Sequence, residues 1–310
     1  MTQRVLAIDI GGTKVALAIV DETGALLTET IVPTPRSADP DAVYAPVGAA
    51  VGAMLADWDG EPPRIGIGSA GPIDGPAGSI SPVNIGAWRD FGIVERVRAS
   101  AREATGSPPG SVTLIGDGHA IALGEYWLGA GRDVDSMIGM TVSTGVGGGA
   151  VINDELFTGT TGNAVHVGHI TVDLAGERCV CGGHGCVELY ARGPALTAAA
   201  RARGLAVADA RELTSRARDG DPVALEVIDE GMRALAAGIA TAATMLDVSV
   251  VVLGGGVAKA GQVIFDPIRR HLGAYAALPY LRGLELRAAE LDNAGLLGAA
   301  AVALGRVELR

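Results

Sequence analysis

The feature that most limits the fold is a glycine-centred strand–turn–strand that occurs twice. The first copy runs from a strand at Val5 to Ile10, through Gly11-Gly12-Thr13-Lys14, into a strand at Val15 to Val20. Asp21-Glu22-Thr23-Gly24 then turns the chain toward a third strand at Ala25 to Thr28. The second copy is Met137 to Ser143, the turn Thr144-Gly145-Val146-Gly147-Gly148-Gly149, and Ala150 to Ile152. Two copies of one supersecondary unit in 310 residues predict two related lobes. Glycines at such turns let backbone N–H groups approach an anion closely.

Between and after the copies, α and β patterns alternate. Asp41 to Leu55 reads as a helix, Arg64 to Gly68 as a strand, and the Gly/Pro/Ser-rich Ser69 to Trp88 as a loop. Val112 to Ile115 reads as a strand and Ala120 to Trp127 as a helix. Asp221-Pro222 is a strong helix start, with Asp as N-cap and Pro at N1, and an apolar stripe follows to Leu246. Asp247 to Leu253 is a buried strand closed by Gly254-Gly255-Gly256, and a last Ala/Leu-rich helix spans about Gly295 to Ala303. The expected organisation is an N-terminal lobe of residues 1–115, joined by the C-terminal helix at about 295–310. A second lobe of residues 116–294 follows a hinge near Gly116.

A net charge of −11 argues against a broad nucleic-acid-binding face. The apolar stretch from Val223 to Leu246 contains Glu226, Asp229, Glu230 and Arg233, so it predicts a buried amphipathic helix and no membrane span. No apolar leader precedes the first strand, and a cytoplasmic protein is expected.

Asp9 ends the first strand, two glycines turn the chain, Thr13 adds a hydroxyl and Lys14 a charge. A carboxylate before the turn and a cation after it favour phosphate binding over a plain hairpin, with Asp9 placed to orient hydrated Mg2+. Thr144 and Gly145 in the second turn, and Gly254 and Gly255 after the buried strand, are further points of nucleotide approach. No P-loop pattern is present. Gly145, Gly147 and Gly149 lie between strands and open no helix, which argues against a dinucleotide fingerprint.

All three cysteines fall in Cys179-Val180-Cys181-Gly182-Gly183-His184-Gly185-Cys186. An odd count in one tight loop suits tetrahedral zinc better than disulfides. His169 and His184 are the candidates for a fourth ligand. With no open coordination position, the metal is expected to be structural.

Four motifs together resemble the ROK family of sugar kinases. They are LAIDIGGTK (Leu6 to Lys14), TVSTGVGGG (Thr141 to Gly149), the run from His166-Val167-Gly168-His169 to Cys179, Cys181, Cys186 and Glu188, and NAGLLGAA (Asn293 to Ala300). The resemblance implies a two-lobed α/β fold of the actin/hexokinase-like (ribonuclease H-like) ATPase type with a small zinc-binding loop. It implies ATP and Mg2+ as cofactors and transfer of the γ-phosphate to the 6-hydroxyl of a hexose. Zinc would be held by His169, Cys179, Cys181 and Cys186, and Asp117 would be the general base. Asn84, His169 and Glu188 match the family's sugar-contacting positions. A homodimer or homotetramer is expected.

Two positions depart from the family pattern. Gly116 stands where Asn is usual, so the hydrogen bond expected of that Asn has no counterpart there. His166 stands where the family's glucokinases usually carry Glu, and it resembles the N-acetylmannosamine kinases. A carboxylate only accepts hydrogen bonds, whereas a neutral imidazole can donate one to an acetamido carbonyl. The expected substrate is N-acetylmannosamine, with glucose as the alternative. A sugar-responsive repressor is disfavoured, because only eight residues precede Asp9 and the chain is acidic; a non-catalytic sugar sensor is a further reading.

Overall fold

The structure, a computed structural model, describes residues 3–310. The chain opens with β1 (Arg4–Ile10), β2 (Lys14–Asp21) and β3 (Leu26–Pro33), followed by α1 (Pro40–Leu55) and β4 (Arg64–Ser69). A small hairpin, β5 (Ile73–Asp74) and β6 (Ser79–Ile80), precedes α2 (Ile93–Thr105), β7 (Ser111–Gly116) and α3 (Asp117–Leu128). Next come β8 (Met137–Val142), β9 (Val146–Ile152) and β10 (Glu155–Phe157), then α4 (Glu188–Ala191), α5 (Gly193–Ala202), α6 (Ala210–Arg218) and α7 (Pro222–Leu246). The chain closes with β11 (Val250–Gly254), α8 (Gln262–Tyr275), β12 (Glu285–Ala288), α9 (Ala294–Leu304) and β13 (Glu308–Leu309).

Two compact units result. The first is the stretch up to Arg132 with Gly149–Ala164 and Leu291–Arg310; the second is Asp133–Gly148 with Val165–Glu290. In the first unit the sheet order is β3-β2-β1-β4-β7, with β1–β2 and β2–β3 antiparallel and β1–β4 and β4–β7 parallel. This meander continued by parallel strands is the ribonuclease H-like arrangement that the motifs imply. Strand alternation divides β1 between two layers. Leu6, Ile8 and Ile10 pack with Val43, Val47, Val51 and Leu55 of α1 and with Ile93 and Val97 of α2. Val5 and Ala7 pack with Leu296, Leu297, Ala300 and Leu304 of α9. The same alternation puts Asp9 on the α9 side, at the carboxyl end of β1.

The expected boundary near Gly116 falls inside the first unit, because α3 belongs there. A Cβ on Gly124 of α3 would overlap the Ala294 carbonyl of α9, and one on Gly298 of α9 would overlap the Ala120 carbonyl. Glycine at both crossing points lets the two backbones touch, so α3 and α9 pack as one layer.

In the second unit β11 lies parallel to both β8 and β12. Its long helix begins as expected: the Asp221 carboxylate accepts from Val223 N (2.9 Å) and Ala224 N (3.0 Å), with Pro222 in the first turn. Ala224, Val227, Ile228, Met232, Leu235 and Ile239 form its buried stripe. Among the described residues no helix is long and apolar enough to cross a membrane.

The second glycine turn is shorter than expected. Strand β9 starts at Val146, so Gly147, Gly148 and Gly149 are strand residues and only Ser143-Thr144-Gly145 turns. Close packing explains them. A Cβ on Gly149 would lie 2.6 Å from the Cα of His119, and one on Gly148 would lie 3.1 Å from the Val165 carbonyl. The Ser69 to Trp88 region is not bare loop either, since it contains the β5–β6 pair and ends on the fully buried Trp88.

Candidate functional site

The first glycine turn is a tight hairpin. Gly11 N donates to the Lys14 carbonyl at 3.0 Å, and Thr34 N donates to the Thr13 carbonyl at 3.0 Å. Gly11 therefore has its N–H engaged, and an anion would be met by the Gly12 and Thr13 N–H groups, the Thr13 hydroxyl and the exposed Lys14. Neither Gly11 nor Gly12 has a positive φ. Gly12 is required for another reason: a Cβ there would run into the Asn84 side-chain amide. The predicted phosphate turn and the predicted sugar contact thus touch within one unit.

Asn84 is exposed on a loop that the Arg89 side chain shapes. The Arg89 guanidinium donates to the carbonyls of Pro82 (2.8 Å), Ile85 (3.1 Å) and Trp88 (2.7 Å), curling the segment around itself. Trp88 stacks on Phe91 at 4.6 Å and donates to the Pro40 carbonyl at 3.2 Å. Arg89 has no motif around it, so sequence reasoning did not single it out.

Asp9 and Asp117 stand at the carboxyl ends of parallel strands β1 and β7, with β4 between them. That end of an open α/β sheet is where ligands bind. A Cβ on Gly295 would lie 2.8 Å from the Asp9 carboxylate, so glycine at the start of α9 leaves it room. Burial first, and then the Asp117 charge, push Asp9 up to about 6, against the pull of Lys14. Burial also raises Asp117, although its carboxylate accepts the Gly118 N–H at 2.7 Å. A raised carboxylate at this position has the proton affinity a general base needs.

Gly116 precedes α3 in extended conformation, and a Cβ there would lie 3.0 Å from Nδ1 of His119. The buried His119 ring, whose Nε2 lies 3.1 Å from the Phe157 carbonyl, occupies the space in which a side chain at 116 would start. A side chain at 116 would therefore have to displace the His119 ring.

In the second unit the metal set assembles as expected. One donor atom from each of His169, Cys179, Cys181 and Cys186 lies within 4.8 Å of the others. Cys181 Sγ and Cys186 Sγ are 3.7 Å apart, and Cys179 Sγ is 3.8 Å from His169 Nδ1. A tetrahedral zinc with Zn–S of about 2.3 Å implies an S···S edge of about 3.8 Å, so the donors fit that ion. The three thiols form no disulfide. Without a cation, burial and then the neighbouring thiols push Cys186 up to about 12, a cost that a dication offsets. His184 stands outside the set: its Nδ1 is 3.4 Å from the Gly176 carbonyl, and its own carbonyl accepts from Thr171.

His166 and His169 flank a 3₁₀ turn (Val167–His169), with rings edge to face at 6.0 Å. In such a turn residues three apart eclipse, which puts both imidazoles on one side. His169 turns Nδ1 toward the thiols, so Nε2 is left to donate to a ligand. Desolvation first, and then His169, hold His166 below its usual value, while Glu188 opposes them.

Glu188 joins this group to the second turn. Its Oε2 accepts the Val146 N–H at 2.9 Å, and a Cβ on Gly145 would lie 2.8 Å from the same oxygen. Its Oε1 lies 3.8 Å from Arg192. Gly254 pairs with Thr141 at the end of β11. Gly255 has φ of +92°, and a Cβ there would meet the Val142 carbonyl and lie 2.6 Å from the Thr141 hydroxyl. Thr144, Gly145, Gly254 and Gly255 therefore cluster at the ends of β8 and β11, in a cradle that side chains would fill.

The chain is similar to known proteins over nearly its whole length. The ROK family model matches residues 5–306. The N-acetylmannosamine kinase of Shigella flexneri is 38% identical over 303 residues, covering 97% of this chain and 98% of that protein. The glucokinase of Thermotoga maritima is 32% identical over 322 residues, covering 98% of each. A ROK family glucokinase from Streptomyces griseus, solved with glucose and AMPPNP, superposes with a TM-score of 0.79 at 34% identity, covering 97% of this chain and 99% of that one. With the family model matched over residues 5–306 and relatives covered almost end to end, the chain belongs to the ROK family.

Proposed function

We propose that this protein is an ATP-dependent hexose 6-kinase whose preferred sugar is N-acetylmannosamine. Asp117 takes the proton of the 6-hydroxyl as that oxygen bonds to the γ-phosphorus and the bond to ADP breaks. Its raised proton affinity supports this role. Gly12, Thr13 and Lys14 in the first unit, and Thr144, Gly145, Gly254 and Gly255 in the second, are the proposed phosphate and nucleotide contacts. Asp9 would orient Mg2+, which neutralises charge on the transferred phosphate when bound. Asn84, His166, His169 and Glu188 are the proposed sugar contacts.

One observation carries the sugar preference: an imidazole at 166, edge-on to His169, whose neutral form desolvation favours. It supplies a donor for an acetamido carbonyl, which a carboxylate there would not. Glucose is the second reading, because glucokinases stand among the similar proteins. A coupled assay with ATP and a hexose panel separates them. N-acetylmannosamine should give the highest kcat/KM; a higher value on glucose would reverse the assignment.

Zinc on His169, Cys179, Cys181 and Cys186 would be structural, with a full protein ligand set. It would fix the loop that carries His169 and Glu188. Cys181→Ser should release zinc and weaken sugar binding together, read by metal analysis and by sugar titration. Zinc-free protein with wild-type sugar affinity would remove that role. Cysteines grouped as metal ligands fit a cytoplasmic setting.

A further inference from the structure

Arg192 carries a buried donor with no acceptor among the described residues: its Nε. Leaving such a group unpaired costs the desolvation of a charged donor, so the site is built for a partner that the protein alone does not supply. The nearest carboxylate does not serve. Glu188 Oε1 is 3.8 Å from the Arg192 guanidinium, beyond hydrogen-bond distance, and Glu188 Oε2 is taken by the Val146 N–H.

The backbone at this point lies between two glycine turns. Gly193 N donates to the Ser143 carbonyl at 2.8 Å, at the entry to the Thr144-Gly145 turn. A Cβ on Gly193 would lie 3.2 Å from that carbonyl and 3.6 Å from Val257, the residue after Gly254-Gly255-Gly256. Glycine at 193 thus holds Arg192 close to both turns. The second turn also lacks a cation of its own, since no Lys or Arg occurs from Met137 to Ala150, whereas the first turn ends on Lys14.

We propose that Arg192 is a nucleotide-binding residue that donates from its guanidinium to a phosphate oxygen of ATP or ADP. The proposal rests on the kinase reading above. A guanidinium suits this place because its planar fork matches two phosphate oxygens, and because it stays charged when partly buried. Bound phosphate would satisfy Nε and leave Glu188 free to keep its bond to Val146 while facing the sugar.

Calorimetric titration of ADP and of hexose 6-phosphate into wild type, Arg192→Gln and Arg192→Lys tests this, alongside the KM for sugar. Arg192→Gln should weaken ADP by about tenfold or more, the loss expected for one hydrogen bond to a charged group. Arg192→Lys should recover part of it, since a point charge replaces the fork. The sugar KM should stay within about twofold of wild type. ADP affinity unchanged in Arg192→Gln would overturn the proposal. So would weakened sugar with intact ADP, which would make Arg192 a support for Glu188, or a loss confined to hexose 6-phosphate. If Arg192→Gln does not fold, a folded Arg192→Lys with wild-type ADP affinity overturns it equally. Wild-type protein with neither ADP binding nor turnover would instead sink the kinase reading itself.

Discussion

The two glycine turns share one plan and differ in what they are pressed against. In each, an N–H at the start of the turn closes the hairpin: Gly11 N on the Lys14 carbonyl, Ser143 N on the Gly145 carbonyl at 2.9 Å. In each, a glycine of the turn lies under a side chain expected to touch sugar, Asn84 over Gly12 and Glu188 over Gly145. The first turn has ionisable chemistry of its own, with Asp9 before it and Lys14 after it. The second has neither, and its charge comes from Glu188 and Arg192, which lie more than forty residues on. The repeat therefore sets a common backbone shape. The charged groups of the first copy are adjacent in sequence and those of the second are distant.

The widest gap between the two turns is in acid–base chemistry, and the acids beside the first turn measure it. Asp117→Asn should lower kcat by about 10²–10⁴-fold with sugar affinity retained. In wild type, burial raises Asp117, so kcat/KM should fall with decreasing pH above the ordinary carboxylate range. Asp9→Asn should separate stability from activity. Folding raises Asp9 from its ordinary 3.8 to about 6. The folded state then binds the proton more tightly, so this contribution to stability is full below the unfolded value and lost as pH rises through about 6. At pH 7 the buried charge costs about 3 kcal/mol by linkage. Asp9→Asn should therefore raise the apparent Tm at pH 7, with the gain shrinking toward pH 4, while activity falls. A Tm gain independent of pH would show that Asp9 is not the strained group and that the two turns are electrostatically more alike than they look.

Much of this was legible because local chemistry set it. Asp221-Pro222 announces α7, and the cap bonds are those the residues imply. Alternation in Val5 to Ile10 gives β1 its two faces. The Cys179 to Cys186 loop converges with His169 and leaves His184 aside, a choice that spacing alone left open. The misread parts depend on partners remote in sequence. Gly147 to Gly149 look like a turn, yet they are strand residues thinned so that His119 and Val165 can approach. The placement of α3 follows from Gly124 and Gly298 meeting the backbones of α9 and α3, and no local pattern names that pairing. Arg89 and Arg192 sit in no motif; the carbonyls around Arg89 and the burial of the Arg192 Nε are supplied by the fold alone.

The finest difference between the turns is how firmly each overlying side chain is held. Neither Gly12 nor Gly145 has a positive φ, so alanine at either site acts through its methyl alone. At Gly145 the methyl would displace a Glu188 oxygen that accepts the Val146 N–H, leaving that N–H without its charged acceptor. Gly145→Ala should raise the sugar KM by about tenfold, the value of one charge-assisted hydrogen bond. At Gly12 the methyl would displace the amide of Asn84, an exposed side chain, and Gly12→Ala should raise the sugar KM by about threefold, as for a neutral hydrogen bond. Measured side by side, the opposite order would mean that the Arg89-shaped loop holds Asn84 more rigidly than Val146 holds Glu188. A double variant, Gly145→Ala with Glu188→Ala, isolates the route. If the methyl acts through Glu188, it adds little once that carboxylate is gone. Additive losses would mean instead that the methyl reaches the sugar by a route that bypasses Glu188, through the nucleotide contact proposed for Gly145.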